Sequence, residues 1–180
     1  MPGSRNAAVS FQASRVDGFP ATAFQYSPHS NQDNKRVEGR SWRTEHRGKL
    51  WIHAAAKEPN ADEVRAVEDQ YRSIYAAEGI LGDVSLPTSY PTSCLLGCVD
   101  IVACLTQAQF QAVEGVPVGP KLESQSEFVF LCQAPRQLVL PFSLAGHHKL
   151  WKMDKHTREA AEAGLGPVVN GPSPVKFPSF

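Results

Sequence analysis

The sequence predicts an α+β fold, a small mixed β-barrel with two or three flanking helices. Three observations lead there. Apolar runs of strand length outnumber helical stripes, four or five against two. Strands and helices do not alternate, which argues against a parallel α/β sheet. The 50–56 segment is apolar on both faces, as a strand covered on both sides must be. At 180 residues, 42% of them hydrophobic, the chain has material for one core.

Residues 1–34 are rich in Pro, Gly, Ser, Asn and Gln, and their aromatics follow no sustained period, so they are expected to be disordered. The ordered domain is expected over 35–165. After the 50–56 strand, Asn60 and Glu63 have the spacing of a capping box, and Val64, Val67, Tyr71, Ile74 and Tyr75 form one stripe of an amphipathic helix. Gly79, Gly82, Pro87 and Pro91 break the chain before a long strand over 94–105, with Asp100 placed at a barrel rim. Thr106 caps a short helical turn, and a loop spans 113–126. Strands over 127–133 and 137–142 are expected to form a hairpin turning at Ala134-Pro135-Arg136. Asp154 caps a last short helix that ends at Gly164 and Gly166, and the Pro-rich tail, 166–180, is expected to be extended.

Net charge is zero, yet the charge is segregated. Residues 35–57 hold seven Lys/Arg against two acids, and residues 147–158 hold four against one. The stretch between them, 58–134, holds eleven acids against three bases. If folding brings the two basic runs together, they steer an anion to one face. The first run interleaves Trp42, Trp51, His46 and His53 with its cations, and the second places Trp151 between Lys149 and Lys152. Cations beside flat rings suit phosphates and bases. The plainer alternative is a solvated basic face whose tryptophans belong to the core. Trp51, inside the strand, is expected there. For Trp42 and Trp151, base stacking and core packing compete evenly.

Cys94, Cys98 and Cys104 share one face of an unbroken strand, but Cys94 and Cys98 then lie about 13 Å apart, too far for one zinc ion. Buried free thiols in a reducing compartment are expected. No metal or cofactor site is expected. The chain carries no phosphate loop, no Gly-x-Ser-x-Gly elbow, no His-Glu-x-x-His and no Cys-x-x-Cys pair. The His147-His148 pair is read as loop surface. No run has the length of a membrane span, and no secretory signal opens the chain. The first sixteen residues lack acids and carry Arg5 and Arg15, but they show no clear amphipathic stripe, so a transit peptide is not expected.

Five blocks in order carry a family resemblance: KRVEGRSW at 35–42, RGKLWIHAAAKEP at 47–59, LPTSYPTSCLLGCVDIVACLTQAQF at 86–110, SEFVFLC at 126–132 and KLWKMD at 149–154. They resemble the ASCH domain (activating signal cointegrator homology) in its eukaryotic form. The resemblance implies a PUA-like β-barrel with a cleft lined by a Gly-x-Lys-x-x-Glu-x-Arg motif, binding RNA or DNA. Lys35, Glu38 and Arg40 fill the last three places, while Asp33 stands where the glycine belongs. Where the family has an apolar helix with a Pro-Trp pair, this chain has QYSPHSNQDN. A missing core helix leaves barrel surface wet, at about 25 cal/mol for each Å² uncovered.

The resemblance implies ligand contact for Lys35 and Arg40, with Glu38 beside Lys35 or held by Arg40, and the two basic runs are expected to add Arg43, Lys57, Lys149 and Lys152 as phosphate contacts, with Trp42 or Trp151 supporting a base or sugar. Small bacterial relatives hydrolyse an acylated cytidine with a lysine, a nearby threonine and a glutamate. Glu38 stands where that threonine would be, so hydrolysis is not expected. The expected function is a non-enzymatic nucleic-acid-binding module of a coregulator or RNA-handling protein, monomeric, in nucleus or cytoplasm, with transcription-complex proteins as further partners. The alternatives are a nucleoside amidohydrolase, and a protein-interaction module that uses the acidic 60–77 helix or the Pro-rich tail.

Overall fold

The computed structural model describes residues 7–11 (backbone only), 36–80, 86, 90–168, 175–178 and 180. In chain order its elements are β1 (Ala7–Phe11), β2 (Val37–Arg40), β3 (Gly48–Ala54), α1 (Ala61–Ala77), β4 (Cys94–Thr106), α2 (Gln107–Ala112), α3 (Val118–Leu122), β5 (Phe128–Ser143), β6 (Leu150–Lys152), α4 (Lys155–Ala163) and β7 (Leu165–Val168). The seven strands form one sheet in the order β2-β5-β4-β3-β1-β6, with β7 on β5. All pairings are antiparallel except β1 with β3, so the fold is mixed α+β as expected.

Alternation along β3 explains how the sheet is covered. Leu50, Ile52 and Ala54 enter one cluster with Val99, Ile101 and Phe130. Trp51, fully buried as expected, enters the opposite one with Leu138, Met153 and Ala161 of α4. Trp42, just after β2, and Leu150, in β6, pack on the first cluster, so the two ends of the strand order curl round a shared core. A third cluster sets Phe110 of α2 and Phe177 against Val37, Val129 and Leu131.

Helix α1 starts as its sequence dictates. The Asn60 side chain accepts from the Glu63 N–H at 2.8 Å, and the Glu63 carboxylate accepts from the Asn60 N–H at 2.9 Å. It stops at Gly79, whose φ of 77° lets Ile80 N–H reach back to the Tyr75 carbonyl at 2.9 Å. Val67, Tyr71, Ile74 and Tyr75 are buried, worth about 1.5–3 kcal/mol for each aliphatic side chain among them. Thr106 and Asp154 cap α2 and α4 as their positions predict.

The expected hairpin over 127–142 is instead the single strand β5. Both of its halves pair with β4, Phe130 with Cys104 at one end and Phe142 with Leu95 at the other. Ala134, at φ 48°, absorbs an irregularity in the ladder and does not reverse the chain. The same irregularities flip the phase of β4. Cys94 and Cys104 lie in the first cluster and Cys98 in the opposite one, which corrects the expectation of one shared face. At the bulge, a Cβ on Gly97 would collide with the Arg136 carbonyl, so only glycine lets the strands close there.

Residues 7–11, inside the segment expected to be disordered, form a strand between β3 and β6. The 113–126 loop contains α3, and the 166–180 stretch expected to be extended contributes to β7 and to the third cluster through Val175 and Phe177.

Candidate nucleic-acid interface

The first basic run begins at β2, and most of its ion pairs are local. Arg40 Nη2 lies 2.7 Å from Glu38 Oε1, with the two side chains 14% and 6% exposed. Arginine thus holds the glutamate, one of the two arrangements their spacing allows. Lys35 lies outside the described residues. Arg36 is structural: it pairs with Glu123 at 2.5 Å and Glu78 at 2.7 Å, and its guanidinium sits 5.7 Å from the Tyr75 ring centroid. Burial alone lowers the pKa of that guanidinium, and the two carboxylates more than offset it, so Arg36 is held above its ordinary value. Glu123 also accepts the Arg36 and Val37 backbone N–H groups at 2.8 and 3.0 Å. Burial pushes its carboxyl up, opposed by Arg36. Exposed Arg43 pairs with Glu45 at 2.9 Å, and Lys57 with Glu63 at 3.1 Å. Trp42 is half-buried, edge-on to Phe130 at 5.2 Å.

The other end of the run lies elsewhere on the sheet. Through the ladder, Glu38 stands at the level of Cys104 on β4, whereas His53 pairs with Leu95. Nine residues separate those levels, about 30 Å along an ideal strand. The sequence-predicted residues are therefore divided between two neighbourhoods.

At the His53 end a cavity of about 580 Å³ opens where β3, β4 and β5 finish or begin. It is lined by His53, Ser93, Ser143, His147 and His148, with Ala55, Ala56 and residues 144–146 between them. Both basic runs supply its wall, and Lys57 and Lys149 each follow a lining residue directly. Among the described residues that line it there is no carboxylate.

His53 is buried, and its Nε2 lies 2.6 Å from the Leu144 carbonyl. A carbonyl only accepts, so Nε2 carries the proton. Burial lowers the His53 pKa, the Leu144 bond opposes that, and His147 adds to it. The Trp151 ring stands edge-on to both His53 at 6.2 Å and His147 at 5.1 Å. It is half-buried in the core on the α4 side, while Lys149 and Lys152 on either side of it are exposed. Ser93 is tied to both flanking strands, by its N–H to the Ala55 carbonyl and by its carbonyl to the Leu144 N–H, each at 3.1 Å. It holds φ 51°, and Lys149 at the far side of the cavity holds φ 57°. Such non-glycine left-handed residues cost about 1–3 kcal/mol and gather where a site dictates the backbone.

Sequence reasoning missed His53, Ser93 and Ser143 as site residues and left His147 and His148 as loop surface. The two histidines are on a surface loop, and they also line the cavity. Asp100 is half-buried opposite Lys49 and Gln133 in the ladder. Lys49 reaches Glu162 of α4 at 3.5 Å and lies 5.6 Å from the Trp51 centroid.

A curled mixed sheet with flanking helices, open in a cavity where β3, β4 and β5 finish or begin, defines a small α+β domain. The chain belongs to the ASCH domain family, whose model matches residues 32–142. It is 46% identical over 131 residues to activating signal cointegrator 1 of Homo sapiens, and equally to that of Mus musculus. The match covers 73% of this chain and 21% of each relative, so the chain spans about a fifth of their length. Two crystal structures of ASCH from Zymomonas mobilis, one of them a serine-to-alanine mutant, align at 12% identity with TM-scores of 0.45 and 0.44. They cover 92% of this chain, and 99% and 100% of their own.

Proposed function

We propose that this chain is a non-enzymatic module that binds RNA or DNA through the cavity beside His53 and the strand beside it, in a protein of transcriptional coregulation or RNA handling. The observation that carries this reading is that the walls of one cavity come from both basic runs, with Lys57 and Lys149 adjacent to lining residues. Lys149 and Lys152 contact phosphates, and Trp151 between them supports a base or sugar. Arg40 and Arg43, with Trp42, form a second contact region near β2, to which Lys35 belongs by its place in the motif. Arg40 is the weaker member of that group, because Glu38 already neutralises it. The named role of the cointegrator relatives supports a nuclear or cytoplasmic coregulator with transcription-complex proteins as partners. Hydrolysis of an acylated nucleoside is disfavoured, since Glu38 occupies the threonine's place and is tied to Arg40.

The test is a titration of labelled single-stranded RNA and duplex DNA at two salt concentrations. Lys149→Ala/Lys152→Ala weakens binding of both and flattens the salt dependence by roughly 0.7–0.9 in log–log slope for each phosphate no longer neutralised. Lys35→Ala/Arg40→Ala has the smaller effect. Undiminished affinity in both double variants sinks the reading, and turnover of acetylcytidine replaces it with the hydrolase.

A further inference from the structure

Resting on the nucleic-acid reading, we propose that the cavity beside His53 is an end-binding pocket for a terminal phosphomonoester of a nucleotide. Size and lining decide the class of ligand. About 580 Å³ falls within the range of single small-molecule sites and suits one nucleotide, not a running duplex. The described lining offers the exposed imidazoles of His147 and His148 and two serine hydroxyls with no carboxylate, and Lys149 follows His148 in the chain, whereas Lys57 is paired with Glu63 and the His53 proton is committed to Leu144. Such a wall donates hydrogen bonds and favours negative charge. A phosphomonoester carries about −1.5 to −2 charges near pH 7 and three terminal oxygens, more of both than an internal phosphodiester.

The residues divide the work. His53 is committed through Nε2 to the Leu144 carbonyl and fixes the chain that leads to His147 and His148. It is a positioning residue. Ser93 is held by backbone hydrogen bonds to the end of β3 and the start of the 144–148 segment, with φ 51°, so its hydroxyl is presented from a rigid corner. His147 and His148 form the opposite, exposed wall, followed by Lys149 at φ 57°. Ser93 and Ser143 hydroxyls and the two exposed imidazoles are the groups that meet the phosphate oxygens.

The same phosphate chemistry occurs at the end of a nucleic-acid strand and in a free nucleoside monophosphate, and the experiment separates the two. The full chain is titrated with one single-stranded oligonucleotide of ten nucleotides carrying a 5′-phosphate, a 3′-phosphate or only hydroxyl ends, and separately with cytidine monophosphate. One phosphorylated end binds about tenfold or more tightly than the hydroxyl-ended strand, the effect of one added charge-assisted hydrogen bond. Ser93→Gly, which also relieves the left-handed backbone, and His147→Ala/His148→Ala abolish that preference, so that phosphorylated and hydroxyl-ended strands bind each variant alike.

Histidine ring resonances of His147 and His148 report occupancy directly and move on adding the monophosphate. If the monophosphate binds with an affinity matching its strand-end counterpart, the source is the free nucleotide. If only strands show the preference, it is the strand end. Equal affinity for all ends, with no shift of the histidine resonances by the monophosphate, overturns the inference. Failure of every oligonucleotide to bind overturns the nucleic-acid reading instead, and the monophosphate titration still judges the pocket.

Discussion

His53 donates its Nε2 proton to the carbonyl of Leu144 across 2.6 Å, which joins the end of β3 to the segment that leaves β5. The imidazole is buried, and burial holds its pKa below the ordinary 6.5, with the neighbouring His147 acting in the same sense. The unfolded chain therefore takes up this proton first as pH falls. The stability contributed by neutral His53 is complete above about pH 6.5 and is lost progressively as pH drops from there through the folded pKa. Urea unfolding at pH 7.5 and 5.5 shows a loss of stability at the lower pH. His53→Gln, which retains a donor for Leu144, shows a smaller loss. An equal loss in the variant rules out His53 as the source.

Gly97→Ala destabilises the fold by about 1–3 kcal/mol, because the added methyl meets the Arg136 carbonyl and Gln137 Cα where β4 and β5 close. Neither neighbour is a flexible side-chain end, so the strands must separate. A denaturant midpoint equal to that of the parent chain is the contrary result.

Glu123→Ala costs about 3–5 kcal/mol, since it strips a buried guanidinium of one of its two carboxylates and leaves the N–H groups of Arg36 and Val37 without their acceptor. Glu123→Gln retains an oxygen for those donors and loses less. Thermal melts of the two variants rank them; a Gln variant less stable than the Ala variant contradicts the account.

Iodoacetamide at pH 7.5 labels half-buried Cys132 well before the three thiols of β4. Burial pushes the Cys98 thiol up to about 11 and raises Cys94, which suppresses their thiolates, and Cys104 is buried as well. Mass spectrometry of partly labelled native protein reads the order. Early labelling at Cys94, Cys98 or Cys104 contradicts the packing described.

What was legible in the sequence was what repeats along it. Helix α1 was visible because its capping box and its apolar stripe agree, and β3 because both of its faces are apolar, with Trp51 in the core between strands. Features that depend on where two segments meet were not visible. The flip of Cys98 to the opposite cluster follows from irregularities in the β4–β5 ladder, and no residue within 94–106 announces them except Gly97. Ala134-Pro135-Arg136 has the composition of a turn, but β4 pairs with the residues on both sides of it and keeps the chain running straight. The cavity draws His53, Ser93 and the 143–148 stretch with Ser143 and His147 from three separate parts of the chain with no common period. The Glu38–Arg40 pair was anticipated as one of two options, because two-residue spacing on a strand puts both side chains on one face.

Strand β1 is the only ladder partner of β6 among the described residues. Ala8 lies between Trp51 and Trp151 in register, and Ala7 faces Lys152. The seating of the second cationic stretch is thus mortgaged to the chain's opening residues, more than a hundred positions away. A substitution that rewrites residues 7–11 therefore disturbs the seating of Trp151 and Lys152 without touching a single lysine.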